Sequence, residues 1–141
     1  MAAKLFVDTW GWVTVSNIRE ARHQQVSAFL HAFRGRVYTT DFVLDETITL
    51  LYARYPHSAE RAVQRILDKV QHGSFIQEPI TAARFETAWR FRQRYADKPA
   101  ISFTDLTSMV VMQELGIVEI LTNDAHFTHV GLGFLPVPAA S

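Results

Sequence analysis

The sequence predicts an α/β domain of three layers, with a mostly parallel sheet of about five strands between helices. Two observations predict it. Short runs of β-forming, apolar residues alternate with longer stretches of helical apolar spacing along all 141 residues. Gly and Pro mark the junctions, at Gly35, Gly73, Pro79 and Gly116. A parallel sheet joined by right-handed crossovers follows from that alternation. One domain, residues 1–141, is the simplest organisation at this length.

Lys4-Leu-Phe-Val-Asp8 reads as a buried strand ending in an acid, and Gly11 suggests a tight turn just after it. Ser16-Asn17 offers a helix start, and Ile18, Ala21, Ala28, Phe29, Ala32 and Phe33 recur at helical spacing up to Gly35. Arg36–Thr40 is a second strand. Asp41 is placed to cap a helix from Phe42 to Tyr55, which stops before Pro56. Ser58 opens a helix with a clean apolar stripe, Ala59, Ala62, Val63, Ile66, Leu67 and Val70, ended by Gly73. Ser74–Glu78 is a third strand, closed by Pro79. Thr81 opens a helix to about Tyr95, with Phe85, Ala88, Trp89 and Arg92 along one side. Its arginines, Arg84, Arg90, Arg92 and Arg94, form a solvated face or a phosphate-contacting one. A largely apolar helix, Leu106–Leu115, ends at Gly116. Glu119–Thr122 and Gly131–Pro138 supply two last short strands.

The totals exclude several classes. There is no cysteine, hence no disulfide framework and no thiolate metal site. No apolar run approaches a bilayer-spanning length and no signal-peptide pattern opens the chain, so a cytoplasmic protein is expected. Net charge is zero, from 14 basic and 14 acidic residues, unlike a protein that coats nucleic acid. If four acids share one pocket, the ten that remain leave the rest of the molecule at +4.

Four acids carry the functional argument. Asp8, Asp105 and Asp124 border strand ends, and Glu46 lies in the second turn of the helix after the second strand. Glu46 shares a helix face with Val43 and Leu50, so it needs a cation, a hydrogen-bonding network or a cleft. An arginine partner would also serve, and neighbouring Asp45 points away toward solvent. Asp105 has a structural alternative, since Ser102-Phe-Thr-Asp105 fits the capping box. In a parallel sheet all four positions lie toward one edge. Clustered carboxylates hold together only with protons or cations. Oxygen ligands without cysteine select Mg²⁺ or Mn²⁺, and the chemistry that follows is metal-assisted phosphodiester hydrolysis. His126-x-x-His129, near Asp124, offers a competing Zn²⁺ arrangement.

Val7-Asp8-Thr9, Thr39-Thr40 through Glu46, Phe103-Thr-Asp105, and Leu121-Thr-Asn-Asp124 with Phe127 occur in an order and spacing that resemble a PIN domain. More narrowly, they resemble a VapC-type toxin of a bacterial or archaeal toxin–antitoxin pair. The resemblance covers essentially the whole chain. It implies metal-binding acids at Asp8, Glu46, Asp105 and Asp124, with Thr104 as the small polar residue beside the third. It also implies a Mg²⁺- or Mn²⁺-dependent endoribonuclease acting on RNA, a homodimer, and a cognate antitoxin as inhibitor. Trp10-Gly-Trp12 departs from the small residues usual after the first acid, and Asn123 adds an amide beside the fourth. The tryptophans serve as core or as stacking surfaces for an unpaired base.

A phosphatase of the haloacid-dehalogenase type needs an acid two residues after the first, where Trp10 stands. A receiver domain needs a mid-chain Asp on its third strand, which here ends Gln77-Glu78-Pro79. A PIN-like binding module without catalysis, and a PIN nuclease of RNA processing, remain as alternatives to a toxin.

Overall fold

The computed structural model describes residues 2–139. Among them lie five strands and seven helices: β1 (Lys4–Val7), α1 (Thr9–Ser16), α2 (His23–Ala32), β2 (Arg36–Thr40), α3 (Asp41–Arg54), α4 (Ala59–Gln71), β3 (Phe75–Glu78), α5 (Ala82–Arg94), α6 (Phe103–Leu115), β4 (Glu119–Leu121), α7 (His126–His129) and β5 (Leu135–Val137). The strands form one sheet in the order β3-β2-β1-β4-β5, every pairing parallel. Phe6 of β1 sits opposite Tyr38 on one side and Ile120 on the other.

That order places the functional end of the molecule. The chain runs outward from β1 through β2 to β3, then returns to the other side of β1 for β4 and β5. The reversal opens a crevice beyond the carboxyl ends of β1 and β4, the place where open α/β sheets bind ligands.

The apolar run Leu5-Phe-Val7 is fully buried, as a central strand covered on both faces requires. α6 is buried almost all round from Leu106 to Met112; its side chains there are apolar except Thr107 and Ser108, whose hydroxyls bond back to the Thr104 carbonyl. α4 buries the stripe side of its pattern through Ala59, Ala62 and Ile66. α5 packs on α6, α1 on α2 and α3, and α3 on α4 and α6. No helix among the described residues is long and apolar enough to cross a membrane.

Four local expectations change. The chain enters α1 directly at Thr9, so Gly11 is a helical residue and not a tight turn. Its role is close approach: a Cβ there would lie 2.8 Å from both the Leu121 carbonyl oxygen and Val7 Cγ1. The helix expected from Ile18 starts only at His23. Asn17 Oδ1 accepts the Arg19 amide at 2.8 Å, and this local turn competes with the helix. Ile18 is left 84% exposed and Arg22 enters α2 at φ 66°.

The cap of α3 is Thr40, whose hydroxyl accepts the Val43 amide. Asp41 instead accepts the amides of Phe42 and Ile80, tying α3 to the segment after β3. On α5 the buried side is Ala88 and Phe91, while Phe85 and Trp89 are half exposed. Its arginines are largely occupied. Arg84 pairs with Glu78 and Glu114, and Arg90 with Glu86. Arg92 donates to the carbonyls of Tyr95, Lys98 and Ile101, which holds the loop leading into α6.

Candidate active site

Asp8 follows β1 and caps α1. Its Oδ1 accepts the Gly11 amide at 3.1 Å and its Oδ2 accepts the Thr122 hydroxyl at 2.5 Å. Thr122 follows β4, so this bond clasps the two strand ends at the crevice. The same hydroxyl accepts the Asp124 amide at 3.1 Å. One threonine therefore fixes two acids.

Asp105 arrives from a different layer. Ser102 caps α6 by accepting the Asp105 amide at 3.0 Å, which is half of a capping box. The reciprocal bond to the Ser102 amide is absent among the described residues, and the Asp105 carboxyl lies instead among the other acids. Glu46 reaches the same place from the second turn of α3. No arginine pairs with it among the described residues; Arg54, one helical stretch on, pairs with Glu20 at 3.3 Å.

The four acids line one cleft of about 360 Å³, together with Thr9, Trp10, Leu50, Arg54 and Ser102. Thr104 is not among its lining residues, and its carbonyl accepts the hydroxyls of Thr107 and Ser108. Thr9 and Ser102 are the hydroxyl residues that line the cleft; the Thr9 hydroxyl donates to the Val43 carbonyl and the Ser102 hydroxyl accepts the Asp105 amide. Trp12 belongs to the core and donates from Nε1 to Thr39 Oγ1 at 3.0 Å. Trp10 lines the cleft, with the Arg22 guanidinium 5.4 Å from its ring centre.

The electrostatics follow from this crowding. Burial pushes the Asp8 carboxyl up to about 7; hydrogen bonds from Thr122 and Gly11 oppose the rise, and the charges of Asp124 and Glu46 add to it. Asp105 is also raised well above the carboxylate range, first by burial, then by the charges of Asp8 and Asp124, a hydrogen bond shared with Asp124, and the charge of Glu46. A bound cation would relieve both the burial and the mutual repulsion that push these acids toward the neutral form.

Single ligand atoms of Asp105, Asp124 and His126 lie within 4.8 Å of one another. The oxygen-rich donor set thus fits a hard divalent ion. Of the two histidines in the competing Zn²⁺ arrangement, only His126 joins this group. Thr122 and Arg54 were not singled out from sequence. Thr122 stood two residues before Asp124 in a strand-end motif, which was its available signal. Arg54 gave none, because reaching the cleft depends on how α3 packs.

A parallel sheet reversing at β1, with four acids gathered at that crevice, defines the class: an α/β nuclease domain. The PIN domain model matches residues 5–132, and the chain belongs to that family. It is 34% identical over 131 residues, 90% of this chain and 94% of the relative, to the 23S rRNA-specific endonuclease VapC20 of Mycobacterium tuberculosis. The crystal structure of that VapC20, described as a Sarcin-Ricin loop cleaving toxin, matches with a TM-score of 0.83 and 33% identity, covering 94% of this chain and 98% of that one. VapBC2 from Rickettsia felis, solved bound to a promoter DNA fragment, shares the fold at a TM-score of 0.68 and 12% identity over 94% of this chain and 96% of its own. The expectation of a VapC-like PIN endoribonuclease agrees with these relatives.

Proposed function

We propose that this chain cleaves RNA by divalent-metal-dependent hydrolysis, as the toxin of a toxin–antitoxin pair. The observation that supports it most is the convergence of Asp8, Glu46, Asp105 and Asp124, carried by four separate segments, on a single cleft. Those four residues would hold Mg²⁺ or Mn²⁺. Held there, such an ion would lower the pKa of a bound water and offset charge on the scissile phosphate.

The chain's own contribution is position. Gly11 and Thr122 orient Asp8, the Ser102 cap sets the first turn that carries Asp105, and Thr122 anchors the Asp124 loop. Among the described lining residues the proton acceptors are the carboxylates, so one of them takes the proton of the attacking water. Arg54 is the cation among those residues; about half exposed and paired with Glu20, it would exchange that partner to meet an incoming phosphate. Trp10 offers a ring face beside it for an unpaired base.

The relative's 23S rRNA specificity makes a 23S rRNA fragment the first substrate to try. The test incubates that fragment and a mixed RNA pool with purified protein in Mn²⁺, Mg²⁺ or EDTA, alongside Glu46→Gln and Asp105→Asn. Metal-dependent cutting lost in both variants supports the reading. Cutting that survives both variants, or persists in EDTA, overturns it. The proposal extends to a homodimer and a cognate antitoxin, which co-purification with the neighbouring gene product tests.

A further inference from the structure

We propose that the imidazole of His126 is itself a ligand of the metal site, bound through Nδ1 beside Asp105 and Asp124, and that it tilts the site toward Mn²⁺ over Mg²⁺. This rests on the metal-dependent reading above.

The local chain geometry carries it. Asp124 Oδ1 accepts the backbone amide of His126 at 2.8 Å, and this turn folds the imidazole back over the carboxylate. Nδ1 lies 3.0 Å from the same Oδ1. That separation suits a hydrogen bond, yet Nδ1 is shielded from solvent and makes none. Where Nδ1 carries its lone pair, approach to a carboxylate oxygen at this distance is repulsive unless a positive centre, a proton or a metal ion, is shared between them.

The spacing suits a shared ion. Donors bound at about 2.1 Å in an octahedral sphere stand about 3 Å apart in cis and about 4 Å in trans. The donor atoms of Asp105, Asp124 and His126 lie within 4.8 Å of one another. His129, its ring centre 6.3 Å from that of His126, is outside the group. A neutral imidazole is a poor ligand for Mg²⁺, whereas Mn²⁺ accepts nitrogen alongside oxygen.

The test uses the full chain with metal alone. Electron spin-echo modulation of the Mn²⁺-loaded protein reads directly bound nitrogen, and ¹⁵N-histidine labelling assigns it without any substitution. Calorimetry then compares Mn²⁺ and Mg²⁺ binding in wild type and His126→Ala. The expected result is a histidine nitrogen coupling that His126→Ala removes, with Mn²⁺ affinity falling about tenfold or more and Mg²⁺ affinity little changed. Mn²⁺ bound with no histidine coupling, or with a coupling that survives His126→Ala, overturns this inference and leaves the carboxylate site standing. No Mn²⁺ binding by the wild type at millimolar metal overturns both.

Discussion

Asp8 is the most constrained side chain of the cleft, 6% exposed and held by two donors that only partly offset its burial. Thr122→Val keeps the shape of the partner and removes one donor. The expected cost at neutral pH is about 1–3 kcal/mol in urea unfolding, because a buried carboxylate loses a hydrogen bond. Divalent affinity should fall with it, since Thr122 also anchors Asp124. Asp105→Asn should act in the opposite sense on stability. It removes a charge that Asp8, Asp124 and Glu46 all oppose, so the metal-free variant should melt at or above the wild-type temperature while binding divalent ions more weakly. A loss of several kcal/mol with unchanged metal affinity would instead assign Asp105 a structural capping role.

At the scale of elements, two contacts position the acids without belonging to them. α1 approaches β4 through Gly11, whose missing side chain lets the helix rest on the Leu121 carbonyl. Gly11→Ala adds a methyl against rigid backbone. Thermal unfolding should show a loss on the order of 1–3 kcal/mol, although alanine is the better helix former. The Ser102 cap sets the first turn of α6. Ser102→Ala should cost about 1 kcal/mol and lower the RNA cleavage rate, because the turn that frays is the one carrying Asp105. Stability measured by urea and cleavage measured on the same preparation separate the two effects.

For the whole molecule, the acidic cleft dictates a dependence of stability on pH. Burial pushes the Asp8 carboxyl up to about 7 in the folded chain, against an ordinary value of 3.8. The folded state therefore holds more protons than the unfolded state between those values, and stability falls as pH rises through them. For Asp8 alone the difference corresponds to about 4 kcal/mol. Asp105, also raised, adds in the same direction. In EDTA, urea midpoints should drop between pH 4.5 and 7.5, and the drop should shrink in Asp8→Asn. Mn²⁺ or Mg²⁺ should raise the melting temperature most at the upper end of that range, where metal and proton no longer compete for the carboxylates. A metal-induced rise that is equal at pH 5 and pH 7.5 would argue against these acids as the ligands.

The sequence by itself determined the alternation of strands and helices, the central strand and the apolar helix α6, because burial on all sides leaves unbroken apolar runs. It also placed Asp8 and Asp124 just past strand ends, whereas Asp105, expected to border a strand, lies in the first turn of α6 after α5, and Glu46 projects from α3. The helix expected from Ile18 was misread because the bond from Arg19 to Asn17 outcompetes a periodicity that only His23–Ala32 uses. The stripe of Phe85, Ala88, Trp89 and Arg92 on α5 was legible, but spacing records a stripe and not the presence of a covering layer, and Phe85 and Trp89 are half exposed. Only the tertiary structure decided that Thr122, more than 100 residues from Asp8 in sequence, clasps it. It alone turned the His126 imidazole over Asp124 and brought Arg54 to the cleft. Those contacts join segments far apart in sequence or depend on a single turn's geometry. Local residue patterns carry the period of an element, and the site is made where elements meet.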